Sequence, residues 1–106
     1  MSALLPKSSK VVVIGGGIAG CSVAYHLAKY GWKDTILLES DELTSGTTWD
    51  AAGLVGQVGA SVTNTRLRIY SLNLHKELEK KTGLSTGINQ TEAITIDNTT
   101  ERLQAC

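Results

Sequence analysis

"KVVVIGGGIAG", Lys10 to Gly20, decides the fold of this chain. Four β-branched residues, Val11 to Ile14, run directly into Gly15, Gly16 and Gly17. A continuous apolar run of this kind suits a central parallel strand covered on both faces. From Ile18 to Tyr30 the pattern turns helical, with Ala24, Leu27 and Ala28 at spacings of three and four, and Gly31 stands where the helix should stop. "DTILLES" returns to a short apolar strand over Thr35 to Leu38, ending at Glu39. Strand, glycine turn, helix and strand make a βαβ unit, its strands parallel by the right-handed crossover. The fold class is α/β.

Gly15-x-Gly17-x-x-Gly20 occupies the setting its chemistry needs. Gly15 permits a tight turn out of the strand, Gly17 lets the backbone touch a pyrophosphate, and Gly20 lets helix and strand approach closely. The helix start then offers unpaired N–H groups and the positive end of its dipole. Glu39 lies nineteen residues beyond Gly20, at the end of the second strand. A carboxylate there can accept hydrogen bonds from the adenosine ribose hydroxyls and would repel a 2′-phosphate. NADP is disfavoured, while FAD and NAD both remain open on these residues.

Beyond Glu39 the chain is irregular and glycine-rich to about Thr63. "TRLRIYSLNLHKELEKKTG" predicts a second helix ending at Gly83, with an apolar stripe of Leu67, Tyr70, Leu74 and Leu78 as core and a Glu77–Lys81 pair one turn apart. "EAITI" predicts a strand and "TTERLQAC" the start of another helix. The formal net charge is zero, with ten basic and ten acidic residues, so nothing electrostatic points to nucleic acid or an anionic membrane. Cys21 and Cys106 have no metal-ligand spacing, and no metal is expected. Two isolated cysteines suit a reducing compartment, and the opening "MSALLPKSSK" has only a short apolar run, so a cytoplasmic location is expected.

"VVVIGGGIAGCSVAYHLAKYGWKDTILLES", "LTSGTTWDAAGL" and "LEKKTGLSTG" together resemble the dimethylglycine and sarcosine dehydrogenase family, FAD-dependent amine oxidoreductases of the D-amino-acid-oxidase-like superfamily. The resemblance covers about Lys10 to Leu103 and favours FAD over NAD. It implies a Rossmann-type FAD-binding domain with a separate substrate domain, and oxidation of N-methyl amines such as sarcosine or dimethylglycine. Many members carry a C-terminal folate-binding region. Carried over by position, Ile18 and Ala19 lie under the pyrophosphate beside Gly15, Gly17 and Gly20, and Glu39 and Ser40 hold the ribose. Gly46, Thr47, Thr48, Trp49, Asp50, Ala52, Gly53 and Leu54 run along the cofactor toward the flavin, with Gly46, Thr47 and Thr48 reaching phosphate oxygens.

One position departs from the family. Where this chain has Asp50, the dehydrogenases have a histidine covalently bonded to the flavin 8α-methyl carbon. Aspartate has no imidazole, so a histidyl–flavin bond is impossible and the resemblance implies non-covalent FAD. Loss of catalysis, a one-base change from a histidine codon, and an aspartyl–flavin ester are the competing readings. A carboxylate close to the flavin would disfavour its anionic reduced form.

The predicted elements supply about half of a doubly wound sheet. Residues 1–9 read as a tail and 10–106 as the N-terminal part of an incomplete FAD-binding domain, with catalytic residues downstream. Alone, such a piece is expected to bind FAD weakly and not to turn over substrate. A non-catalytic regulatory protein on the same fold and an NAD-binding module are the alternatives. His26 and His75 read as packing or surface residues, Cys21 as a small buried hydrophobe and Trp32 as a cover for the first helix's end.

Overall fold

The computed structural model describes residues 5–94, 96 and 100. The chain divides into two compact units, Met1–Leu54 and Val55–Cys106. The first holds the βαβ unit. β1 (Val11–Ile14) leads through the glycines into α1 (Ile18–Lys29), and β2 (Thr35–Leu38) returns parallel to β1. The register sets Val11 opposite Thr35, Val12 opposite Ile36, Val13 opposite Leu37 and Ile14 opposite Leu38.

α1 stops where expected. Gly31 takes a φ of 87°, which a side chain would oppose, and its N–H donates to the Ala28 carbonyl at 3.0 Å. Trp32 donates its backbone N–H to Leu27 O but leaves half of its surface exposed, so it only partly covers the helix end. With Tyr30, Gly31, Lys10, Lys33 and Asp34 it lines an open hollow of about 340 Å³.

Among the described residues of this unit the sheet has two strands, with a helix on one face. α1 packs on both strands, on the face that carries Val13. On the other face Val12 is 50 % and Ile14 85 % exposed. The continuous apolar run therefore does not have the two-sided cover expected of it, because this unit supplies a helix to one side only. A shallow hollow of about 160 Å³ lies between Leu5–Ser9 and the Val12, Ile36 and Leu38 face.

The second unit is built on α2 (Val62–Thr82). The helix starts three residues before the expected stretch, because Ser61 caps it: the Asn64 N–H donates to Ser61 Oγ at 3.2 Å. Arg68 fastens the approach to the helix, donating from Nε to Asn64 Oδ1 and from Nη1 to the Val58 carbonyl, both at 2.8 Å. Gly83, at φ 71°, ends the helix as expected. Glu79 then holds the following loop, accepting the Thr86 hydroxyl and backbone N–H at 2.7 Å each, and these bonds, the hydroxyl's first, draw its pKa below the ordinary glutamate value.

Two expectations are corrected in this unit. Leu67 and Tyr70 of the apolar stripe are exposed, Leu74 and Leu78 are only half-buried, and the buried residue is Leu72, which lies off the stripe. A stripe is buried only where another element covers it, and among the described residues α2 is the main element of its unit. "EAITI" forms no strand among its described residues; Ile94 and Ile96 are nearly fully exposed, and a strand without a ladder partner has nothing to hold it. The helix expected over "TTERLQAC" lies outside the described residues apart from Thr100, which is helical. The Glu77–Lys81 pair forms as expected.

Candidate cofactor site

The three glycines of the motif are each required here by a different contact. Gly15 turns out of β1 with φ 102° while its N–H continues the ladder to the Leu38 carbonyl at 2.8 Å. A Cβ on Gly20 would stand 1.8 Å from the Gly15 carbonyl oxygen, so any side chain there would drive α1 off the turn. A Cβ on Gly17 would stand 3.0 Å from Thr48 Oγ1, which places Thr48 directly over the turn.

Gly16, which the motif leaves free, is the most enclosed of them. Its N–H donates to Glu39 Oε2 at 2.6 Å, and its carbonyl accepts from the Thr44 N–H at 3.0 Å and from Cys21 Sγ at 3.4 Å. A Cβ would meet Leu43 Cδ2 at 2.6 Å, which can rotate away, and Glu39 Cβ at 3.1 Å, which cannot easily move. Thr44 reaches this bond with φ 68°, an uncommon and strained conformation for a β-branched residue. Gly16 lies outside the Gly15-x-Gly17-x-x-Gly20 motif, and Leu43 and Thr44 are marked in the sequence only as the start of "LTSGTTWDAAGL", with no role assigned to them there. Cys21, expected to be buried, is half-buried, since its thiol reaches up to the turn rather than into a core.

Glu39 sits immediately after β2, beside the turn. Its Oε1 accepts from the Ser40 N–H, the Ser40 hydroxyl and the Asp41 N–H at 2.7, 3.2 and 3.1 Å. The Gly16 amide, then those of Asp41 and Ser40, hold its pKa below the ordinary glutamate value, so the group is a carboxylate at neutral pH. Among the described residues Oε2 has only the Gly16 bond, which leaves it a lone pair that a ribose hydroxyl could use. Ser40 contributes by orienting the carboxylate.

The third point of contact is Thr48, whose Oγ1 accepts the Ile18 N–H at 3.0 Å. Glu39, Thr44 and Thr48 thus bind the 39–48 segment along Gly16–Ile18 at three places. The remaining expected residues lie further out. Residues 43–50 form successive turns, with the Trp49 N–H on the Gly46 carbonyl at 2.8 Å. Ala19, Gly46, Thr47, Asp50, Ala52 and Gly53 are exposed, as are Trp49 at 80 % and Leu54 at 92 %. His26 and His75, set aside as structural, each have Nδ1 2.7 Å from the carbonyl four residues earlier in their own helix.

These residues fit a dinucleotide. Gly15, Gly16 and Gly17 put no side chain of their own into the turn where a pyrophosphate would approach, the helix start follows it, and an ionised carboxylate stands beside it where a ribose would lie. Among the described residues there is no group of acids, histidines and cysteines able to hold a metal, and no helix long and apolar enough to cross a membrane.

Residues 10–106 match the model of the FAD dependent oxidoreductase family, DAO. The chain belongs to that family. Its relatives include human mitochondrial sarcosine dehydrogenase, 45 % identical over 100 residues. The 4-methylaminobutanoate oxidase (formaldehyde-forming) of Paenarthrobacter nicotinovorans is 42 % identical over 99 residues, and the mitochondrial pyruvate dehydrogenase phosphatase regulatory subunit of Mus musculus 42 % over 102. The matches take in 93 %, 93 % and 96 % of this chain but only 11–12 % of each relative's length. Family membership fixes the fold as a Rossmann-like α/β domain, seen here in part, and FAD as the family's cofactor.

Proposed function

We propose that the whole protein is a flavin-dependent oxidoreductase of N-methyl amines such as sarcosine or dimethylglycine, and that this chain supplies part of its FAD site. The observation that carries the reading is the three-point clasp of residues 39–48 on the glycine turn, in a chain of the DAO family. Gly15, Gly17, Ile18 and Ala19 would face the pyrophosphate, with Gly20 letting α1 pack against the turn; Glu39 would face the ribose, and the segment from Gly46 to Leu54 would continue toward the flavin. When bound, the flavin would accept the hydride equivalent from the amine. This chain's residues would hold and orient it. The amine specificity, and uptake of the one-carbon unit by a folate-binding region, are the family reading extended to the whole protein.

The binding mode follows from Asp50, which lacks the imidazole needed for a histidyl–flavin bond, so FAD is held non-covalently. Acid precipitation of the full-length protein tests this. Yellow supernatant is expected; a yellow pellet would contradict it, and colourless protein would count against flavin binding altogether.

A second reading is a non-catalytic regulatory protein on the same fold. It is favoured by the regulatory relative and by the missing histidine. Reduction of bound flavin by sarcosine or dimethylglycine without oxygen separates the two. A cytoplasmic location is also a proposal, resting on cysteines suited to a reducing compartment. Mitochondrial relatives offer the alternative, and fractionation of cells expressing the full-length protein decides.

A further inference from the structure

The formal balance of charge over the whole chain hides a segregation within the first unit. Its lysines, Lys7, Lys10, Lys29 and Lys33, all stand where the strands begin: two before β1, one on the last turn of α1 and one just before β2. Of its acids, Glu39, Asp41, Glu42 and Asp50 follow β2, whose end lies beside the glycine turn. Asp34 alone is an acid at the basic end, and its carboxylate is taken up by the chain itself. Oδ2 accepts the Lys10 backbone N–H at 3.1 Å, and Oδ1 faces the Ser9 hydroxyl at 3.0 Å. Among the described residues neither Lys10 nor Lys33 has a carboxylate partner for its ammonium group.

At this end the hollow of about 340 Å³ opens between the two lysines and two aromatic residues, Tyr30 and Trp32. Tyr30 is 73 % and Trp32 52 % exposed. The turn that carries them is fixed by its backbone. The N–H groups of Tyr30, Gly31 and Trp32 donate to the His26, Ala28 and Leu27 carbonyls at 2.9, 3.0 and 2.9 Å. The Trp32 carbonyl accepts the Thr35 hydroxyl at 3.1 Å. Two aromatic side chains are thereby held in the open on an ordered turn, where docking costs little further ordering. Tyrosine and tryptophan in a hollow, with a charged rim, have the composition of a protein-binding hot spot.

We propose that this hollow is a docking site for an acidic segment of a partner protein. An apolar side chain of the segment sits against Tyr30 and Trp32, and carboxylates beside it pair with Lys10 and Lys33. Two flanking lysines suit a short acidic segment, whereas a nucleic acid backbone or an anionic membrane takes a wider basic patch. Lys10 and Gly15 bound the two ends of β1, about 16 Å apart at the usual rise of a strand. The docking site therefore lies at the opposite end of the strands from the glycine turn, and it does not depend on the flavin reading.

The test is a fluorescence-anisotropy titration of the full-length protein with a labelled synthetic peptide carrying glutamates on both sides of one leucine. The parent should bind the peptide, and less tightly as salt is raised. Trp32→Ala should weaken binding about tenfold or more. Lys10→Glu combined with Lys33→Glu should abolish it, and this charge-reversed protein should instead bind the same peptide with lysines in place of the glutamates. Lys10 and Lys33 are exposed, so the charge-reversed protein still folds should Trp32→Ala not. A full-length parent that does not bind the peptide overturns the proposal, as happens if the remainder of the protein covers the hollow. Undiminished binding by Trp32→Ala or by the charge-reversed protein overturns it too. So does a parent that binds phosphatidylserine vesicles but not the peptide.

Discussion

The two helices of this chain begin in opposite ways. α2 is capped by the residue beside it, Ser61, whose hydroxyl accepts the Asn64 N–H. α1 starts at a glycine that has nothing to offer, and its first amide is satisfied by Thr48 from the far side of β2. A local cap stabilises its helix and little else. A remote cap also fixes where the contributing segment lies, so the start of α1 and the 39–48 segment form one construction. Helix start and site geometry are coupled in the first unit and separate in the second.

The harshest way to break that construction is Gly20→Ala. With a Cβ 1.8 Å from the Gly15 oxygen, helix and turn must separate, at a cost of about 3 kcal/mol or more. The full-length protein should melt lower and lose its flavin; a variant that keeps both would show that the approach is looser than described.

Next comes Glu39→Gln, which weakens the acceptor for the Gly16, Ser40 and Asp41 donors and for a ribose. FAD binding should weaken several-fold, and its pH dependence should change. The folded pKa of Glu39 lies below its unfolded value, so its contribution is complete above the ordinary glutamate range and is lost as pH falls through the folded value. Acidification through and below that range should loosen FAD in the parent, while the glutamine variant should show a flatter profile. Parallel profiles would remove Glu39 from the site.

Ser61→Ala sharpens the contrast from the other side. It should cost about 1 kcal/mol of stability in urea unfolding and leave FAD affinity unchanged. A loss of affinity would mean that the second helix start also serves the cofactor. The smallest effect belongs to Lys81→Ala. The Glu77–Lys81 pair is about half exposed at both ends, so its loss should cost only about 0.3–0.5 kcal/mol in the same experiment.

Much of the first unit could be read without a structure. The β-branched run, the three glycines, the helical spacing to Tyr30 and the acid after the second strand each report on neighbours close in sequence, and all fall where expected. The second unit was less legible. Leu67, Tyr70, Leu74 and Leu78 mark a helix correctly but do not say what covers it, and burial falls on Leu72. "EAITI" has strand-forming residues and, among the described residues, no partner strand. Ser61 is of a type favoured at helix N-caps, but the apolar spacing that marks the helix begins only after it.

Local residue types suffice for the βαβ unit, the glycine turn, the acid that follows β2 and the absence of an imidazole at position 50. These follow from local steric and chemical limits: which residues can turn, which can extend, and which carry a charge or a ring. Only the tertiary structure decided that Gly16 must also be small, that Thr44 is strained and that Thr48 stands over the helix start. Those facts depend on residues 39–48 folding back across a turn twenty-three to thirty places earlier. No local pattern encodes such a contact, because it forms only once the parallel strands have brought the two segments side by side.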